Sequence, residues 1–308
     1  MRIAPLATLL LSITAVSAQT PDKPLPPIAP GVETVYSDAQ LERDRSIARA
    51  QVEEVLEPVE ALEYQYARWK RPVCFNVYGL APGAKYVIER RMKDIAQQVG
   101  APLDRRDPCV PNVTIAFTPD PRATLESVAS HAGTLVPYYG FIRSRLREAQ
   151  PVQAWHVIST GAPNGHDYLA FDGDNGGIND ALAPPRISML AGEMSRLNSG
   201  YTSAIETALI VVDTNAIMGK SLGTLADHFA MLALAQARVT SSCRQVATIA
   251  NLMKPDCAAD WRPDAMTGND IAMLTGLYQT PDDNLQRVQK ARIIGNMRKS
   301  LEAQASGK

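Results

Sequence analysis

The chain has 308 residues, 31 basic against 32 acidic, a net charge of −1 and only 6% aromatic residues. That balance leaves no basic face for nucleic acid and no polybasic stretch for a membrane surface. The length is ample for a mainly aliphatic core in one large domain or two smaller ones.

The chain opens "MRIAPLATLLLSITAVSAQT". One Arg, an apolar run shorter than the roughly 20 residues a membrane span needs, and a small-residue site at Val16-Ser17-Ala18 read as a secretory signal peptide over residues 1–18. No Cys follows the run to carry a lipid anchor, and nothing later is apolar enough to span a membrane. The expected product is secreted or periplasmic. Residues 19–36, with "TPDKPLPPIAP" and its five prolines, read as an extended linker. A helical pattern then runs from Ser37 to about Trp69, an N-terminal segment over residues 37–70. Ser37 is its N-cap, Gln40 completes a capping box, and Pro58 kinks or divides it.

Residues 71–308 carry the α/β signal. "PVCFNVY" alternates Val73, Phe75 and Val77 as a strand does. "AKYVIERRMKDIAQQVG" puts Ile88, Met92, Ile95 and Val99 at helical spacing and stops on Gly100. "PNVTIAFT" alternates again at Val113, Ile115 and Phe117. Strand, helix and strand at these lengths predict a βαβ unit with parallel neighbours. "AWHVIST" is a third strand, followed by a long Gly, Asn, Asp and Pro-rich loop. "ETALIVVD" is a fourth strand, expected at a sheet edge, and a helix over 222–237 follows it. A Cys-bounded loop and helices near 267–278 and 282–303 complete a mixed α/β (α+β) fold with a helical C-terminal part.

Export changes the reading of Cys74, Cys109, Cys243 and Cys257. An even count in an oxidising compartment points to disulfides, and three pairings are open. Consecutive pairing, Cys74 with Cys109 and Cys243 with Cys257, is favoured; a zinc site would ordinarily draw on a C-x-x-C pair, and none is present.

Several motifs invite chemistry. "TNAIMGKS" approaches a phosphate-binding loop, but Thr214 stands where the wrapping Gly belongs. "GKSLG" is a true G-x-S-x-G around Ser221, similar to the nucleophile elbow of α/β-hydrolases. Its one downstream imidazole, His228, lies seven residues along the same helix. Ser221 therefore reads first as a helix start. In "DGDNGGIND", Asp172, Asp174 and Asp180 have the alternate spacing of calcium ligands, but Ala183 holds the twelfth position, where an EF-hand needs Glu. A polar turn explains that loop as well. His131, His156 and His166 are scattered singly, and Asn112 opens a glycosylation sequon that overlaps a strand.

The order of elements, "LADHFAMLALA", "NLMKP" and "MTGNDIAMLTGLYQTP" together resemble the zincin metallopeptidases, particularly the metzincin group, over roughly residues 70–280. They also resemble a group of uncharacterised proteobacterial secreted proteins. Met253 and Pro255 match the outline of the Met-turn, and Asp270, Ile271, Leu277 and Tyr278 match the final helix. The resemblance implies a zinc helix, H-E-x-x-H, at 227–231. Its first His falls on Asp227, its Glu on His228, its second His on Met231 and the third metzincin His on Ala237. A thioether and a methyl group are poor substitutes for imidazoles. The expectation is an exported, non-catalytic zincin-like protein without a cofactor. Its role is binding or structural, with a peptide or protein of the exported compartment held by strand addition beside "ETALIVVD". The alternative is a secreted hydrolase, metal-dependent or Ser-dependent, using Ser221, Asp227 and His228.

Overall fold

A computed structural model describes residues 38–59, 65–132, 135–136, 150–161, 196–238, 240 and 242–305. The expected leader and linker, the expected N-cap Ser37, His166 and the calcium candidates Asp172, Asp174 and Asp180 lie outside the described residues.

Helix α1 (Asp38–Val55) buries Ala48, Val52 and Val55 completely in the main core. It does not continue to Trp69 as its composition suggests. It ends three residues before Pro58, whose ring pushes the preceding residue toward extended backbone. Leu56 forms an antiparallel bridge with Ala237, with Glu57 N donating to Gln236 O at 2.9 Å and Arg238 N to Val55 O at 2.7 Å. Arg68–Trp69 is strand β1.

The βαβ unit forms as the alternation predicts. Strand β2 (Phe75–Tyr78) pairs in parallel with β3 (Val113–Thr118), Val77 opposite Ile115. Helix α2 (Pro82–Gln98) crosses between them and buries Ile88, Met92 and Ile95. Gly100, at φ +77°, takes the left-handed backbone beyond the helix end that a side chain would resist. At Gly79 (φ +84°) a Cβ would come within 2.2 Å of the Phe117 carbonyl oxygen, so the turn between β2 and α2 needs Gly for space as well.

Strand β5 (Thr202–Asp213) is not an edge strand. It pairs in parallel with β3 from Ala208 to Asp213 and with β1 at Ala204 and Ile205. Its other side pairs antiparallel with β4 (Val152–Gly161). Its sequence carried the signal: "ALIVV" is a continuous apolar run, as expected of a strand buried on both faces. Ile210 and Val212 enter the main core, while Leu209 and Val211 pack with Leu125 and Val136. Leu125 belongs to α3 (Pro121–His131), a helix that the chain's apolar pattern does not announce. Its N-cap, Asp120, accepts from Ala123 N at 3.0 Å, and Pro121 follows.

Helix α4 (Leu222–Leu234) is the most apolar element and runs through the core, with Phe117 against Phe229 edge to face at 5.6 Å. Helices α5 (Gly268–Gln279) and α6 (Gln286–Ala305) then pack together and against α1. The Asp270 carboxylate, fully buried, organises this end. It accepts from Gln51 Nε2 (2.8 Å), Thr248 Oγ1 (2.6 Å), Ile249 N (3.0 Å) and Thr267 N (3.0 Å), so α1, the loop after Cys243 and the start of α5 share one acceptor. No helix among the described residues is long and apolar enough to cross a membrane.

Both consecutive disulfides form. Cys74–Cys109 has Cα atoms 6.0 Å apart, and Cys243–Cys257 has them 5.1 Å apart. The second closes a 14-residue separation, and in the chain-entropy account such a loop contributes about 3 kcal/mol. The double variant Cys243→Ala/Cys257→Ala should therefore shift the urea unfolding midpoint down by the equivalent of about 3 kcal/mol. An unchanged midpoint would show that the loop 243–257 is held by its hydrogen bonds without need of the crosslink.

Candidate functional site

A cleft of about 420 Å³ opens between β4, α4, the 236–240 segment and the loop 250–254. Consecutive β4 residues from Val152 to His156 line it. Successive strand side chains point to opposite faces, so an unbroken run of lining residues means that the cleft follows the edge of the strand. Among the described residues β4 pairs on one side only, with β5.

The back of the cleft is α4, whose C-terminal carbonyls end inside the protein and need donors. Leu232 O accepts from His156 Nε2 at 2.8 Å, Ala233 O from Trp69 Nε1 at 2.7 Å and Leu234 O from the Tyr278 hydroxyl at 2.7 Å. His156 is thus a cap donor reaching across from β4. Because a carbonyl only accepts, its Nε2 carries the proton. His228, 3% exposed, is fixed in the opposite tautomer, with Nδ1 donating to Ile249 O at 2.9 Å. Burial pulls both imidazoles down to about 4, the backbone acceptors pulling the other way and nearby Arg244 adding to the fall at His228. Both are neutral at pH 7.

The positions matched to the zinc helix have other work. Asp227, 2% exposed, accepts from Arg91 Nε at 2.6 Å and Nη2 at 3.2 Å, and from Met266 N at 2.8 Å. It ties α4 to α2 and to the approach to α5. Met231 is completely buried in the core, and Ala237 is half of the bridge to Leu56. Ser221 is the N-cap of α4, its Oγ accepting from Thr224 N at 3.0 Å. His228 lies seven residues further, about 10 Å along the axis at 1.5 Å per residue, so the structure does not bring these two together. His131 caps its own helix by bonding to Ser127 O. The Asn112 side chain is engaged with Cys74 N and Pro72 O. Among the described residues no three His, Cys, Asp or Glu side chains gather as a metal site.

Sequence reasoning missed the cationic side of the cleft. Arg238, Arg244 and Lys254 line it, with Glu57 the one carboxylate among the described lining residues. Arg244 is 5% exposed, and burial lowers its guanidinium to about 10, which leaves it charged at pH 7. Its Nη1 donates to Ala250 O at 3.1 Å and its Nη2 to Arg238 O. Lys254 Nζ donates to Gln150 Oε1 at 2.8 Å, just before β4 begins. Cations spread over a loop carry no periodic signature, so only the fold gathers them.

Comparison with family models, curated proteins and solved structures gives no match.

Two outcomes follow from this geometry. In the unfolded chain His228 takes up a proton near pH 6.5, whereas in the folded protein it does so only near 4. Its contribution to stability is complete above 6.5 and is lost as pH falls toward 4, with a slope of up to about 1.4 kcal/mol per pH unit. His156 adds a slope of the same sign over the same window, so urea unfolding at stepped pH should show a fall that is about halved in His228→Asn. Separately, Asp227→Ala leaves Arg91 and the Met266 N–H without their acceptor and should cost about 2 kcal/mol in the same assay. An unchanged stability would mean that Asp227 does not tie α4 to its neighbours.

Proposed function

We propose that the chain is an exported, non-catalytic zincin-like protein that holds an extended peptide along the edge of β4. The observation that carries the reading is the pairing of two features. The cleft follows a strand edge that is unpaired among the described residues, a surface that offers a row of backbone donors and acceptors. The helix behind that edge and the segment after it spend the matched positions on structure: Asp227 on Arg91, Met231 in the core and Ala237 in a bridge. The expected strand-addition site therefore moves from β5, which is internal, to β4.

The order of elements supports the zincin-like reading. An antiparallel strand, an apolar central helix and a loop bearing Met253 bound one cleft, and Met253 lines it. The two disulfides support export, since such bonds persist in oxidising compartments. A cleft of a few hundred Å³ is also of the size that holds a few side chains of a ligand.

The test uses full-length exported protein purified without added metal. Extended peptides should bind it, and methylation of alternate peptide nitrogens should weaken binding at least tenfold by removing ladder donors. Elemental analysis should find no stoichiometric zinc, and peptide should remain intact with or without chelator. Chelator-sensitive cleavage with one zinc per chain, or cleavage abolished by both Ser221→Ala and His228→Ala, would reverse the conclusion in favour of a hydrolase.

A further inference from the structure

The cationic side of the cleft says which part of a peptide sits there. Arg238 and Arg244 each leave their Nε–H without an acceptor among the described residues, although both atoms are buried. Arg244 cannot turn away, because both its terminal nitrogens and its backbone N–H are engaged by Ala250, Arg238 and Asn251. Gln236, on the same wall, leaves its Oε1 without a donor among the described residues. Two guanidinium donors and one amide acceptor complement a carboxylate together with an amide N–H.

Direction follows from charge. A strand added antiparallel to β4 brings its C-terminus to the start of β4, and a strand added in parallel brings its N-terminus there. Lys254 is anchored at that start through Gln150, and Arg238 and Arg244 line the same cleft. Three cations against the carboxylate of Glu57 leave the described lining net positive, which would repel a terminal ammonium and attract a terminal carboxylate. Resting on the peptide-binding reading above, we propose that the cleft captures the free C-terminal carboxylate of a peptide lying antiparallel to β4, with Arg238 and Arg244 as its anion-binding residues.

The experiment mixes the full chain with pooled random octapeptides in equal amounts of two forms, free acid and C-terminal amide. Bound peptides are separated by gel filtration and counted by mass spectrometry. The acids should be enriched at least tenfold over the amides. In Arg238→Gln, a change at a half-buried residue whose side chain makes one long bond to Leu56 O (3.5 Å), the ratio should fall to near one. Arg122→Gln, a remote surface change, should leave it unaltered. Arg244→Gln should match Arg238→Gln if circular dichroism shows it folded; if it is unfolded, Arg238→Gln alone decides. Binding of both forms at parity by the wild type would overturn the carboxylate site and leave the peptide reading standing. Equal enrichment of amidated peptides ending in Glu would assign the site to an acidic side chain and overturn the C-terminal assignment. Failure of both forms to bind would overturn both readings.

Discussion

Helix α4 stops in the middle of the protein, where its last carbonyls have no solvent to accept from. A buried helix end is tolerable only if other groups supply the missing donors. Here three side chains from three separate elements do so: His156 from β4, Trp69 from β1 and Tyr278 from α5. Each bond fixes the distance between its own element and the end of α4. Strand β4, strand β1 and the C-terminal helices are thus all referenced to one turn of backbone. The cleft exists because β4 is held at imidazole length from α4.

The same economy governs the polar residues of the central helix. Asp227 sits where a ligand would be sought, but a carboxylate that accepts from a guanidinium and a backbone N–H is a strut between elements. His228 lines the cleft yet is neutral and pinned to the Ile249 carbonyl. An imidazole kept neutral by burial and locked in one tautomer is suited to holding shape at neutral pH.

Local pattern made much of this legible. The βαβ unit, the buried stripe of α2 and the start of α4 at Ser221 follow from spacing and caps, whereas the count of cysteines leaves three pairings open and only favours the consecutive one. What escaped depends on neighbours distant in the chain. The continuous apolar run of β5 can be read as central, yet its partners are set by the sheet. The 37–70 segment keeps helical composition beyond Val55, but Leu56 is drawn into a bridge with Ala237, 181 positions away in the chain. Nothing in "AWHVIST" says that its His donates to a helix end. Arg238 and Arg244, six residues apart in an irregular loop, look like ordinary solvent-facing charges until the fold half-buries the first and buries the second. Burial of a charge is a tertiary event, and the signal for it is absent from a single sequence.

The cysteine arrangement has a bearing on biogenesis. Each native bond joins thiols that are nearest neighbours along the chain, 35 and 14 residues apart. On an N-terminus-first passage into an oxidising space, Cys74 and Cys109 would emerge as each other's correct partners, followed by Cys243 and Cys257. Simple first-come oxidation would therefore assemble the right crosslinks, with no need for an isomerase to reshuffle them afterwards.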